Sequence, residues 1–108
     1  MVDYLEGVFG TLSPNWKTLV SSEDVVKKLF YKDNKIFGIV MIHTDNEIKI
    51  VNSATIRNED FTFAMKLYIM RNVKLHGRFI IQSTKKDSAI ARYCDGYDDV
   101  TQCFYKGV

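Results

Sequence analysis

The sequence predicts an α+β protein, in which a mixed β-sheet of about five strands is flanked by helices within a single domain of residues 1–108. Two polar turns, Asp33-Asn34 and Asp45-Asn46, separate three extended segments, which is the pattern of an antiparallel meander. An apolar segment with helical spacing follows, and two further extended segments lie beyond it. Strands combined with helices in this way form a layered α/β sandwich.

Residues 1–27 are predicted to be a short helical segment, because apolar residues recur at helical spacing between positions 3 and 12. Ser13 before Pro14 is a typical start of a second helix, since proline suits the first helical position. Residues 26–31 could extend this helical segment or form a strand. We favour a strand from Lys28, because a turn follows it directly.

Residues 28–55 are predicted to form the β-meander. The run from Ile36 to Ile42 is almost continuously apolar, which indicates a strand that is covered on both faces. The segment from Glu47 to Asn52 alternates polar and apolar residues with a period of two, which is typical of a third strand.

Residues 60–108 are predicted to form a helix, a strand, a second helix and a final strand. The first helix runs from Phe61 to about Asn72 with apolar residues nearly all round, so we expect it to be well buried. The strand Phe79–Gln82 should lie parallel to the third strand of the meander, because a helix connects the two. A helix over Asp87–Cys94 and a strand over Val100–Tyr105 follow.

The composition argues against several classes of function. A net charge of +2 does not indicate a nucleic-acid-binding protein. No apolar run reaches the roughly 18–20 residues that cross a bilayer, so no membrane partner is expected. The first residues do not resemble a secretory signal, and Cys94 and Cys103 are the only cysteines, so we expect a cytoplasmic protein with free thiols. A bridge between these two cysteines is geometrically conceivable. His43 and Asp45 are too few ligands for a metal, and no metal site is predicted.

From Lys35 to the end, the order of elements resembles the core of the GCN5-related N-acetyltransferases. Order and spacing carry this resemblance, together with four local matches: Gly38, Glu47-Ile48-x-x-Val51, Ala89-x-x-x-Tyr93 and Gly96-Tyr97. In the family, the second match opens the strand that contacts the acetyl group. The last two belong to the final helix and its exit. The resemblance implies a reduced fold of this family.

An activity is also implied by the resemblance, namely transfer of an acetyl group from acetyl-coenzyme A. Tyr93 would then act as the general acid, Glu47 as the general base and Arg57 as a residue that binds the cofactor. Each catalytic candidate has a plainer interpretation, which we favour. Tyr93 would pack as a core residue between helix and sheet. Glu47 would be exposed to solvent at the start of a strand.

The chain departs from the family pattern at the turn that binds the coenzyme A pyrophosphate. Family enzymes place glycines there, so that backbone amides at a helix amino terminus can approach the phosphates. Asp60 and Thr62 stand at the two glycine positions here, and Glu59 adds a second negative charge. Both carboxylates suit a helix start, where each contributes about 0.3–1 kcal/mol. We therefore expect no cofactor.

The resulting hypothesis is a catalytically silent acetyltransferase-like domain that binds another protein or assembles with itself. Its small size and its Lys, Asn, Ile and Tyr content resemble those of phage products, which suggests a virion component or a host-interaction factor. Phe104 and Tyr105 end what we expect to be an edge strand, and they are the candidate interface. The alternative is a minimal active N-acetyltransferase that holds acetyl-coenzyme A through Arg57 and the backbone amides of the central strand.

Overall fold

A computed structural model describes residues 1–56, 63–82 and 89–108. The described elements are helices α1 (Val2–Phe9), α2 (Pro14–Ser21) and α3 (Phe63–His76), a 3-10 helix (Ala89–Tyr93), and strands β1 (Val26–Lys32), β2 (Lys35–Asp45), β3 (Ile48–Thr55), β4 (Phe79–Gln82), β5 (Gly96–Asp98) and β6 (Cys103–Lys106). The strands form one sheet in the order β1-β2-β3-β4-β6-β5. Strands β3 and β4 are parallel, as predicted, and the other neighbours are antiparallel. The predicted α+β class is confirmed, with six strands where about five were expected.

Two short helices precede the sheet, as the amino-terminal pattern predicts. Helix α1 ends at Gly10, whose φ of 88° lies in a region that other residues rarely adopt. Ser13 caps α2, because its Oγ accepts a hydrogen bond from the Trp16 N–H at 3.2 Å, and Pro14 occupies the first helical position. Such a cap typically contributes about 1 kcal/mol to stability.

Strands β1, β2 and β3 form the predicted meander through two-residue turns. The turn residues, Asp33-Asn34 and Asn46-Glu47, all have positive φ, between 49° and 67°. This is the pattern of type I′ turns, whose twist matches that of the flanking strands. Strand β1 begins at Val26, two residues before the predicted start, and the second turn lies one residue later than predicted. Glu47 therefore lies in the turn and not on a strand.

Two apolar clusters lie on opposite faces of the sheet. The first lies under α3, which contributes Met65, Ile69 and Val73. The second lies under α1 and α2, which contribute Leu5, Leu19 and Val20, and Leu12 joins it from the segment between the two helices.

Strand β2 contributes to both clusters, because successive side chains of a strand point to opposite faces. Val40 and Ile42 lie on the α3 side, whereas Ile39 and Met41 lie on the side of α1 and α2. The side chains of residues 39–41 are fully buried. The prediction that this strand is covered on both faces is confirmed.

Helix α3 approaches β2 closely at Gly38. A Cβ atom at this position would lie 2.6 Å from the Met65 Sδ atom, which is too short for any real contact. The glycine in β2 therefore makes room for a buried side chain of the helix.

Helix α3 is less buried than predicted. Its buried residues Met65, Ile69 and Val73 recur every four positions and form one face. Phe63 is 80% exposed, and Leu67, one turn later, is also exposed. The helix ends at His76, four residues beyond the predicted end, while its predicted start at residues 61–62 lies outside the described residues.

The last twenty residues differ most from the prediction. In place of a helix over 87–94, the described residues form a 3-10 helix of five residues. In place of one strand from Val100, β5 and β6 form a hairpin around residues 99–102. Strand β6 pairs with β4 on one side and with β5 on the other. The prediction that Phe104 and Tyr105 end an edge strand is therefore wrong, because β5 occupies the edge.

Candidate interaction surface

The two halves of the sheet are covered differently. Helix α3 packs over one face, and its apolar cluster includes residues from β2, β3, β4 and β6. On the opposite face, the cluster under α1 and α2 includes residues from β1, β2 and β3 but none from the other three strands. We call the part of that face that no described helix covers the open half-face, and it is defined by Ile80, Gly96, Asp98, Cys103 and Tyr105.

The register and the alternation of side chains place these residues on one face. Ile81 and Phe104 are paired across β4 and β6 and belong to the cluster under α3. Their neighbours Ile80 and Tyr105, which are also paired, therefore point to the opposite face. Gly96 lies beside Tyr105 in the next strand and continues this row to the edge of the sheet.

A groove of about 740 Å³ lies along the open half-face. Half-buried Ile80, Cys103 and Tyr105 form part of its lining, and Val100 and Val108 lie beside them. Val100 is 92% exposed, which is an unusual position for a β-branched apolar side chain. Along the groove, the half-buried side chains of Ile80 and Tyr105 therefore adjoin the almost fully exposed side chain of Val100.

Hydrogen bonds within the hairpin hold Val100 in place. The Val100 N–H donates to Asp98 Oδ1 at 2.9 Å, and the Cys103 thiol donates to the Thr101 carbonyl at 3.3 Å. An aspartate that accepts a hydrogen bond from the backbone two residues later is a common device for fixing turns. The exposed valine is therefore presented by an ordered turn.

Gly107, which follows β6 beside the groove, is also held by hydrogen bonds. The Gly107 N–H donates to Asp95 Oδ2 at 2.8 Å, and Arg78 Nε donates to the Gly107 carbonyl at 2.8 Å. The Asp95 N–H in turn donates to the Tyr105 carbonyl at 2.8 Å. These bonds connect the segment before β5 to the end of β6.

The open half-face is the acidic end of the sheet. Between Arg92 and Lys106 the chain carries three aspartates, Asp95, Asp98 and Asp99, and no lysine or arginine. These three account for a charge of −3, so the remaining residues carry +5 within the whole-chain charge of +2. Asp98 and Asp99 both line the groove.

Glu47 lies far from the position of a cofactor bound in the acetyltransferase manner. It is exposed in the turn before β3, whereas α3 begins beyond the other end of that strand. Glu47 and Thr55 are eight positions apart, which corresponds to ~26 Å along an extended chain. Arg57 and the turn residues 58–62 lie outside the described residues.

Tyr93 is not the core residue that we expected. It ends the 3-10 helix and is 43% exposed. Ala91 and Cys94, which are three residues apart, pack against the cluster under α3. A 3-10 helix has three residues per turn, so those two share a side while Tyr93 points away from it.

The two candidate interface residues have different environments. Phe104 is 2% exposed, and its ring packs edge-to-face on Tyr97 with 4.8 Å between the ring centroids. Phe104 is therefore a core residue, and its prediction as an interface residue is wrong. Tyr105 lines the groove. The sequence pattern could not separate the two, because the position of the helices decides which face of β6 is covered.

The two cysteines lie on opposite faces of the sheet, and no disulfide joins them. Cys94 packs against the cluster under α3. Burial and the neighbouring Asp95 carboxylate raise the pKa of its thiol to about 11. Cys103 lies on the other face, in the groove.

No family model matches the chain, and no curated protein matches it significantly. Within residues 1–56, 63–82 and 89–108, no group of three or more His, Cys, Asp or Glu side chains is placed to hold a metal ion. The described helices include none that is both long and apolar enough to cross a membrane. Fold and surface together define an α+β protein with a mixed six-stranded sheet, one half of which is open on one face.

Proposed function

We propose that this protein is a non-catalytic binding domain that docks a protein partner on the open half-face. The observation that carries the proposal is the groove, in which half-buried Ile80 and Tyr105 adjoin the exposed Val100. Apolar side chains with a polar rim are typical of protein interaction sites. The chain composition favours a virion component or a host-interaction factor as the setting of this binding.

The placement of the catalytic candidates also supports a non-catalytic function. A general base must lie within hydrogen-bond reach of the proton that it removes. Glu47 lies at the amino end of β3, and the start of α3 lies beyond its carboxyl end. Tyr93 and Glu47 are both solvent-exposed, so neither is held in a site that excludes water.

Calorimetry with acetyl-coenzyme A separates this proposal from the alternative of a minimal N-acetyltransferase. We expect no heat of binding at millimolar ligand. Binding at micromolar strength would contradict the non-catalytic proposal and favour the enzyme.

Photo-crosslinking tests the surface itself. A benzophenone amino acid at position 100 projects from the groove, and one at position 71 projects from the exposed side of α3 as a matched control. In cells that contain the natural partner, we expect a discrete crosslinked product from position 100 and none from position 71. Equal products from both positions, or products from position 71 alone, would remove the open half-face from consideration.

A further inference from the structure

We infer that the partner at this surface is a second copy of the chain, whose strand β1 lies along the edge formed by β5 and the turn at 99–102. This inference rests on the proposed function and names the occupant of the outer rim of the open half-face, at Asp98, Asp99 and Val100. The contact would join the two opposite edges of the sheet, so that copies associate head to tail.

The two edges of the sheet carry opposite charges. Strand β1 contains Lys27, Lys28 and Lys32 and no acidic residue. The opposite edge contains Asp98 and Asp99, and no basic residue lies between Arg92 and Lys106. Edge strands are the positions at which sheets associate, and charge on an edge decides which partners it accepts.

Charge disfavours the two symmetric pairings and favours the asymmetric one. Two β1 edges would bring together two strands that each carry three lysines, and two β5 edges would bring together two pairs of the aspartates Asp98 and Asp99. Like charges directly opposite each other destabilise a pair of strands, and opposite charges stabilise it by roughly 0.2–1 kcal/mol each. Of the edge pairings available to two copies, β1 with β5 is the complementary one.

Exposed apolar side chains accompany the charges on both edges. Val26 and Tyr31 of β1 are each more than half exposed, and Val100 projects from the turn beside β5. Lys28 and Lys32 are exposed, whereas the Lys27 ammonium group donates to the Ser22 and Val25 carbonyls at 2.6 and 3.0 Å. Lys28 Nζ lies 6.0 Å from the centroid of the Tyr68 ring. Lys32 is therefore the cation of β1 most accessible to a neighbouring copy, and Lys28 would have to leave the Tyr68 ring to reach one.

An asymmetric contact between identical chains leaves one unused edge at each end of the assembly. Such heterologous contacts produce rings if the rotation closes and open chains if it does not. Because β5 is only three residues long, we expect the contact to be weak and sensitive to salt.

Sedimentation velocity of the complete chain at rising concentration tests the inference. In about 0.05 M salt, where the Debye length is near 14 Å, we expect the mean mass to rise past that of a dimer. In about 1 M salt, where charges are screened within ~3 Å, we expect a monomer. A monomer at every concentration in low salt would overturn the inference, as would an association that salt does not weaken.

Two edge variants make the test specific. The basic-edge variant is Lys28→Glu with Lys32→Glu. The acidic-edge variant is Asp99→Lys with Asp98→Asn, where asparagine keeps the acceptor for the Val100 N–H. Each variant alone should be monomeric, because one of its edges no longer fits. An equimolar mixture should associate past a dimer with the two proteins in alternation, since their unchanged edges fit each other and so do their two edges of reversed charge.

The control variant, Lys17→Glu with Arg71→Glu, changes the same charge as the basic-edge variant at exposed positions of α2 and α3, and it should associate like the native chain. If the control loses association as completely as the edge variants, net charge and not edge pairing is responsible, and the inference is wrong. A monomeric native chain that still crosslinks another protein from position 100 would overturn the second copy as partner while leaving the proposed function intact.

Discussion

The two halves of the sheet contain similar apolar strands but bury them differently. In β2, the consecutive residues Ile39, Val40 and Met41 are all fully buried, because helices cover both faces. In β4, Phe79 and Ile81 are buried under α3 while Ile80 between them is only half-buried. An apolar strand can thus be buried on both faces, or be buried on one face and partly exposed on the other. The position of the helices decides between them.

The largest expected effect comes from shortening one isoleucine in each half. Ile39→Ala removes a fully buried side chain from the cluster under α1 and α2, and it should cost about 3 kcal/mol of unfolding free energy. Ile80→Ala removes a half-buried side chain, and it should cost about 1 kcal/mol. Urea denaturation of both variants measures the difference. Equal losses would show that the open half-face is covered in solution.

The alkylation rate of Cys94 tests the burial of the side of the sheet that α3 covers. With a pKa of about 11 in place of 9.0, the Cys94 thiol contains about 100-fold less thiolate at pH 8 than an ordinary thiol. The higher nucleophilicity of that thiolate offsets part of the difference. In the Cys103→Ser variant, iodoacetamide should label Cys94 slowly at pH 8, and the rate should increase nearly tenfold per pH unit up to about pH 10. A rate that levels off near pH 9 would contradict the burial of Cys94.

The smallest effect concerns Glu47, whose φ of 67° lies in the left-handed region that favours glycine. Glu47→Gly should raise the unfolding free energy by about 0.5–1 kcal/mol, because glycine adopts this conformation without steric cost. Thermal unfolding measures the gain, and Glu47→Ala provides the control without it. Destabilisation by glycine would show that the hairpin does not use the type I′ turn. Glu47 belongs to neither apolar cluster. Its variants therefore provide a reference for the stability changes measured in the two isoleucine variants.

Much of the fold could be predicted from the sequence, because its signals are local. Two polar dipeptides between extended segments identify the meander, and a helix between two strands identifies the parallel pair. The continuous run from Ile36 to Ile42 also indicates cover on both faces. These features depend on few residues that are close together in the chain.

The candidate surface could not be predicted, because it depends on three residues and on distant packing. Strand β5 consists of Gly96-Tyr97-Asp98, which is too short to show an alternating pattern. Without it, β6 is taken for the edge, and Phe104 is taken for a surface residue. The partial exposure of Ile80 follows from where α1 and α2 pack, and those helices are more than fifty residues away in sequence.

The parallel register between β3 and β4 has a consequence for folding kinetics. Lys49 pairs with Phe79, thirty residues later, whereas both hairpins of the meander close over two residues. Loop-closure entropy favours the short-range pairs, so we expect the meander to form in the folding nucleus and β4 to join after α3 has docked. Strands β6 and β5 can add only to a β4 that is already in place. If the strands pair in this order, the open half-face is the last part of the molecule to assemble, and its amides should exchange with solvent soonest when the native state opens locally.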